Sequence, residues 1–384
     1  MPSVNSSHRP DLNPGPDLNP GPGPGPGPGP RVSLREGAAR IPPEQVGDLH
    51  TCDRSPAFKM AGDTAAFALA SVVAVLAWNS GSYLLVAAAL LVAGHFGHIV
   101  PLMFHDASHG TLHPVKWMNE ALGFFLGLVT LVPLTAYRHA HALHHRYPGT
   151  ERDPELWPYT MPGTPRSVRI ACVPVEIVLG SIFTPILFLR AVLMADDLSP
   201  DQKRRIRIEY AIAVLYWGLA VISAAMLGLW TPFLVGVVAP WMVAGMFQTV
   251  NKYVEHMGML GSGILDSTRS VLDNRLPGRM LSASMQHVDH HGAHHLYAKI
   301  PHYHLPQATP LVMTEEAETA SLYPSYFSAF VAMLRTLGDP RVGAQWIAEG
   351  SDTPDAWDSR GETDSERHDS RDAHSREQVT NQRI

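Results

Sequence analysis

The chain has 384 residues, 21 of them histidine, a formal charge of −6 and two cysteines, Cys52 and Cys172. It shows no basic patch with interleaved aromatics, and two distant cysteines make neither a disulfide framework nor a metal pair. A nucleic-acid binder and a cystine scaffold are therefore set aside, leaving an apolar, histidine-rich middle between two polar ends.

In chain order, residues 9–30 read RPDLNPGPDLNPGPGPGPGPGP, a tract that cannot sustain a hydrogen-bonded element. No basic-then-apolar stretch with a cleavage site opens the chain, so no signal peptide is expected. Composition divides the chain into a disordered Pro/Gly-rich tail and lead-in over 1–58, one membrane domain over 59–335, and a mostly disordered polar tail over 336–384, the last rich in Ser, Asp, Glu and Arg.

Residues 64–104 contain no Asp, Glu, Lys or Arg, and neither do residues 210–251. About 20 apolar residues cross a hydrocarbon core of about 30 Å, so each run holds two crossings. Asn79-Ser80-Gly81-Ser82 divides the first run and Thr231-Pro232 the second, predicting four membrane helices near 64–80, 82–103, 210–230 and 232–250. The buried helices of a soluble protein seldom produce two such long charge-free runs.

Charge placement orients them. Arg40, Arg54 and Lys59 precede the first helix, and Lys116, Arg138, Arg146, Arg152, Arg166, Arg169, Arg190, Lys203, Arg204, Arg205 and Arg207 lie between the second and third, whereas both hairpin turns are uncharged. The positive-inside rule puts the basic segments in the cytoplasm. Two further apolar stretches, about 121–136 and 172–195, have cytoplasmic flanks at both ends and read as re-entrant or interfacial helices; Pro174, Glu176, Pro185 and Arg190 interrupt the second. Arg204 and Arg205 read as an anchor to anionic headgroups.

Three histidine clusters fall on the cytoplasmic side. His105 and His109 sit where the second helix leaves the membrane; His141, His144 and His145 lie in the loop region after 121–136; His291, His294 and His295 follow the fourth helix. Spacings of three and four put imidazoles on one helical face, so each cluster can aim two or three at a common point. Eight imidazoles exceed the need of one four-coordinate zinc and suit two metals, although the ligands alone do not name the metal. Metal-bound imidazoles commonly give their other N–H to a carboxylate, and Asp106, Glu151, Asp153 and Asp289 lie near the clusters. Asp106 and Asp153 are the leading candidates for that role; Asp153 precedes Pro154 and also suits a turn.

The order HxxxH, HxxHH, HxxHH resembles the membrane fatty acid desaturase superfamily, which includes related hydroxylases and carotenoid ketolases, over roughly 60–335. Phe104-His105-Asp106 to Gly110 and His144-His145-Arg146-Tyr147-Pro148-Gly149-Thr150 are similar to ketolase boxes. His294-His295-Leu296 with Ile300-Pro301-His302-Tyr303-His304-Leu305 resembles the end of acyl-lipid desaturases. The resemblance implies an all-α membrane protein: four transmembrane helices with a cytosolic helical cap holding a di-iron site, and a tunnel for an acyl chain. It also implies two iron ions, O2 as co-substrate, and an external donor such as a ferredoxin or cytochrome b5 type protein. Family members often add a ligand before the third box; His256 is the candidate ninth, and Asn251 a candidate to hold a metal-bound water. The third box has a second register, His287 to His291; the preferred one leaves His287 and His290 beside the site rather than on the metal. His95, His98, His113 and His139 read as polar spots near the interface or the site.

An unactivated C–H bond is beyond side-chain acid–base chemistry, so a metal centre working with O2 must supply the oxidising power. Desaturation of fatty acyl chains is the leading expectation, with carotenoid ketolation or hydroxylation, or another lipid hydroxylation, as the alternative. A histidine-rich metal transporter would carry ionisable groups along its helices. Here only His95 and His98 lie in the charge-free runs.

Overall fold

The structure is a computed structural model, and it describes residues 47–313 and 321–348. The Pro/Gly tract and most of the polar C-terminal tail lie outside the described residues.

Four long helices form the frame: α1 (Ser55–Asn79), α2 (Tyr83–His109), α7 (Pro200–Met226) and α8 (Trp230–His256). Between them come α3 (Lys116–Thr130), α4 (Leu134–Arg146), α5 (Arg166–Val178) and α6 (Gly180–Leu193). After α8 follow α9 (Leu276–Ser284), α10 (His291–Leu296), α11 (Leu305–Val312) and α12 (Tyr326–Thr336). The only strands among the described residues, Ser270–Val271 and Leu322–Tyr323, pair in parallel.

The four long helices are apolar and long enough to cross a membrane, and their outer faces carry side chains such as Leu84 and Met226, 89% and 82% exposed. Water would not tolerate such a surface; lipid does. This is a membrane protein. α2, α7 and α8 have 27 residues each, about 40 Å of helix against about 30 Å of hydrocarbon. The surplus turns of α2 and α8 carry His105, His109 and His256 beyond the apolar zone. α2 packs against both α1 and α8. A Cβ on Gly97 of α2 would lie 2.9 Å from the Ala244 Cβ of α8, so hydrogen at Gly97 permits the close crossing.

Several boundaries differ from the sequence expectation. α1 and α7 start well before the charge-free runs, because Lys59 and Asp63 pair along α1 at 2.7 Å and a Ser199/Gln202 capping box starts α7. α7 and α8 are divided at Gly228, whose φ of 65° suits glycine. Pro232 lies in the first turn of α8, where it costs no hydrogen bond. The stretches near 121–136 and 172–195 are not straight spans. α3 and α4 meet at 92°, and α5 and α6 at 118°. The packed unit also runs past 335: Val342 N–H and the Trp346 indole both donate to the Tyr159 carbonyl.

Candidate metal centre

The second histidine cluster lies on α4, a regular helix, rather than in a loop. Two contacts hold that helix in place. Glu209 of α7 accepts from Thr135 N–H at 3.0 Å, a carboxylate at a helix N-terminus. Arg138 reaches back to the end of α2, donating to the Ala107 and Ser108 carbonyls, and forms a two-pronged pair with Glu120 of α3 at 2.7 Å per bond. One guanidinium therefore ties the first cluster's helix end to the second cluster's helix. The third cluster lies on short α10, whose Gly292 N–H donates to Ser270 Oγ; the neighbouring Arg269 donates to the last carbonyls of α8.

Nine imidazoles come together in two groups. His105, His109, His141, His145 and His294 form one; His144, His256, His291 and His295 form the other, with one ligand atom from each member within 4.8 Å of every other in its group. The rings of His145 and His295 stack at 4.3 Å and join the groups. In the first group, Nε2 atoms stand 2.8 Å apart for His105–His294, 2.9 Å for His109–His141, 3.0 Å for His141–His145 and 3.1 Å for His145–His294. In the second, His291 Nε2 lies 2.8 Å from that of His256 and 3.0 Å from that of His295.

These contacts cannot all be hydrogen bonds. His256 donates through Nδ1 to the Ser267 carbonyl, so as a neutral ring it presents a bare lone pair at Nε2. Each of His141, His145, His291 and His294 faces two other Nε2 atoms and has at most one proton there to share. A cation between converging lone pairs removes the conflict. The separations match the roughly 3.0 Å between ligands at right angles on a metal with bonds of about 2.1 Å; a tetrahedral site would need about 3.4 Å.

The outer faces of the rings are braced. Buried Asp153 accepts from His144 Nδ1 at 2.8 Å and from Gly149 N–H at 3.0 Å. Glu155 accepts from His141 Nδ1 at 2.8 Å. Asp106 takes its short bond, 2.6 Å, from His302 and stands 3.6 Å from His105 Nδ1. Burial, reinforced by neighbouring imidazoles, holds His141, His145, His291, His294 and His295 well below the usual histidine range. They are neutral at pH 7, the form that binds metal. Burial also pushes Glu155 up to about 7. His144 goes the other way: burial opposes its charge, but Asp153 and Glu155 raise it to about 9. A field that favours a proton on His144 favours a metal cation at the same ring.

The remaining predicted residues lie around the groups. Asn251 donates to Glu255 and accepts from Tyr326. His287 bonds Ser282, His290 bonds Thr309, and with Asp289 these histidines form a separate set. Glu151 is exposed. Neither His95, His98, His113 nor His139 enters a group; His113 binds the Val115 N–H, and His139 stands 3.4 Å from Asp197. Sequence reasoning missed Glu155 and Arg138, which brace the groups, and Glu255, which stands 3.8 Å from His291 Nε2. Glu255 adjoins His256, and Glu155 lies two residues beyond Asp153, but neither position carries a motif.

A pocket reaches both groups, lined by His105, His291 and His294 together with Leu102, Ile300 and Leu305. The lining is mixed, since Asp106, Thr111, Gln286 and His302 also face it. The family model described as fatty acid desaturase matches residues 59–327. The chain belongs to that family. It is 24% identical to a fatty acid desaturase of Bacillus subtilis over 59% of this chain and 68% of the relative. It is 23% identical to an Arabidopsis thaliana protein named acyl-lipid omega-3 desaturase (cytochrome b5), endoplasmic reticulum, over 70% and 75%. For a Punica granatum delta(12)-acyl-lipid-desaturase the identity is 24%, over 54% and 60%. The desaturase described here is thus an oxidoreductase of lipid metabolism, with histidine clusters able to bind metal.

Proposed function

We propose that the nine histidines hold two iron ions and that the protein uses O2 to desaturate fatty acyl chains. Electrons would come from a separate donor of the ferredoxin or cytochrome b5 type; one relative carries cytochrome b5 in its name. We further propose a multi-pass topology with residues 59–335, and the segment through Trp346 packed on them, as the catalytic domain and the histidines at the cytoplasmic face. The uncharged turns at 80–82 and 227–229 and the basic segments at the opposite helix ends support it.

The observation that carries the reading is the convergence of nine imidazoles into a set of five and a set of four at the ends of apolar helices. An iron pair with O2 supplies the oxidising chemistry that removal of two hydrogens from adjacent methylenes demands. The chain's own part is positional. Asp153 and Glu155 fix the rings of His144 and His141 through Nδ1, leaving Nε2 to face inward. Leu102, Ile300 and Leu305 would form the apolar side of the approach to His105, His291 and His294.

Expression in a heterologous host, with fatty acids and pigments profiled by mass spectrometry, tests the reading. New double bonds in acyl chains are expected. Oxygenated carotenoids with unchanged acyl chains would overturn the substrate assignment, and purified protein holding one zinc and no iron would overturn the metal assignment.

A further inference from the structure

The two histidine groups are unequal, five against four, and the smaller one has a carboxylate beside it. Four carboxylates stand within 4 Å of the nine imidazoles among the described residues. Asp106, Asp153 and Glu155 each face an Nδ1, the outer edge of a ring. Glu255 alone faces an Nε2, the inner edge: its Oε2 lies 3.8 Å from His291 Nε2.

Two further features single it out. Glu255 is buried, and among the described residues no Lys or Arg pairs with it; Lys252, one turn earlier, is taken by Glu176. An ionised carboxylate without a compensating cation is costly in such a place. Its other oxygen is anchored. Asn251 Nδ2 donates to Oε1 at 2.9 Å, while Asn251 Oδ1 accepts from Tyr326 at 2.9 Å. The chain Tyr326–Asn251–Glu255 therefore holds one oxygen and leaves Oε2 toward the four-histidine group. A 3.8 Å separation falls between the roughly 3.0 Å of neighbouring ligands and the roughly 4.2 Å of opposed ligands on a metal with bonds of about 2.1 Å.

We propose that Glu255 completes the four-histidine site as its oxygen donor, in the place that a fifth imidazole fills in the other group. Asn251 is then the residue that positions this carboxylate. The two metals differ in donor set, one held by nitrogen alone and the other by nitrogen and an anionic oxygen. This rests on the two-metal reading above.

The test uses full-length protein in detergent, loaded with iron-57, with iron counted and Mössbauer spectra recorded. Wild-type protein should hold two irons in two inequivalent environments. Glu255→Gln keeps the shape and the Asn251 contact but removes the charge. One environment should shift while the other stays, and iron at the altered site should be lost to a chelator about 10–100-fold more readily. Glu255→His should restore retention by supplying nitrogen in place of oxygen. Asn251→Ala, which frees the carboxylate but keeps its charge and also releases the Tyr326 hydroxyl, should move the same environment by less. Two irons in wild-type protein with an unchanged spectrum and chelator resistance in Glu255→Gln would overturn the role of Glu255 alone. Wild-type protein without an iron pair would overturn the two-metal reading itself, and this inference with it.

Discussion

Asp153→Asn separates the support of the metal centre from the centre itself. Oδ2 of Asp153 accepts two bonds, from His144 Nδ1 and Gly149 N–H, and Oδ1 accepts one from Glu155 N–H. An asparagine oxygen can keep the first two, but its NH2 then meets the Glu155 N–H, donor against donor. The loss of one buried bond costs about 1–3 kcal/mol of stability. The loss of charge behind His144 should weaken metal binding by about 10–100-fold, or about 1.4–2.7 kcal/mol. Thermal unfolding with and without a chelator distinguishes the two costs: the first persists in metal-free protein, and the second is seen only in loaded protein. Chelator titration measures the second directly. Unchanged chelator resistance in Asp153→Asn would refute the view that this carboxylate orients a metal-bound ring.

Other outcomes follow from the same contacts. His294→Ala removes the ring between His105 and His145 and should abolish desaturation and release metal, with the membrane-bound fraction unchanged; normal turnover would refute its assignment as a ligand. Arg138→Ala removes the Glu120 ion pair and the guanidinium bonds to the Ala107 and Ser108 carbonyls, Ala107 keeping its bond from Asn119, and should cost about 1–3 kcal/mol, seen as a lower unfolding temperature. Gly97→Leu drives a side chain into Ala244 and Phe67 and should cost about 1–3 kcal/mol or more by overpacking, measured the same way. Chelation of wild-type protein should lower the unfolding temperature, because bound metal stabilises only the folded state; an unchanged temperature would show that the histidines converge without it.

Local pattern alone determined the membrane character, the four long helices and the histidine clusters that place the chain among desaturases. Each depends on neighbours in sequence: a charge-free run long enough to span lipid, or imidazoles repeating at helical spacing. The family resemblance pointed to His256, which fits the place of an added ligand after the last apolar run. Tertiary structure decided how the nine histidines divide, since His144 and His145 are adjacent in sequence yet enter different groups. It brought His291, His294 and His295 together with distant rings and left His287 and His290 to Ser282 and Thr309. It also revealed the positions of Glu155, Glu255 and Arg138, ordinary charged residues in sequence that meet partners on other turns or helices. Helical periodicity sets which side chains share a face, but the crossing of α2, α4, α8 and α10 sets which faces meet.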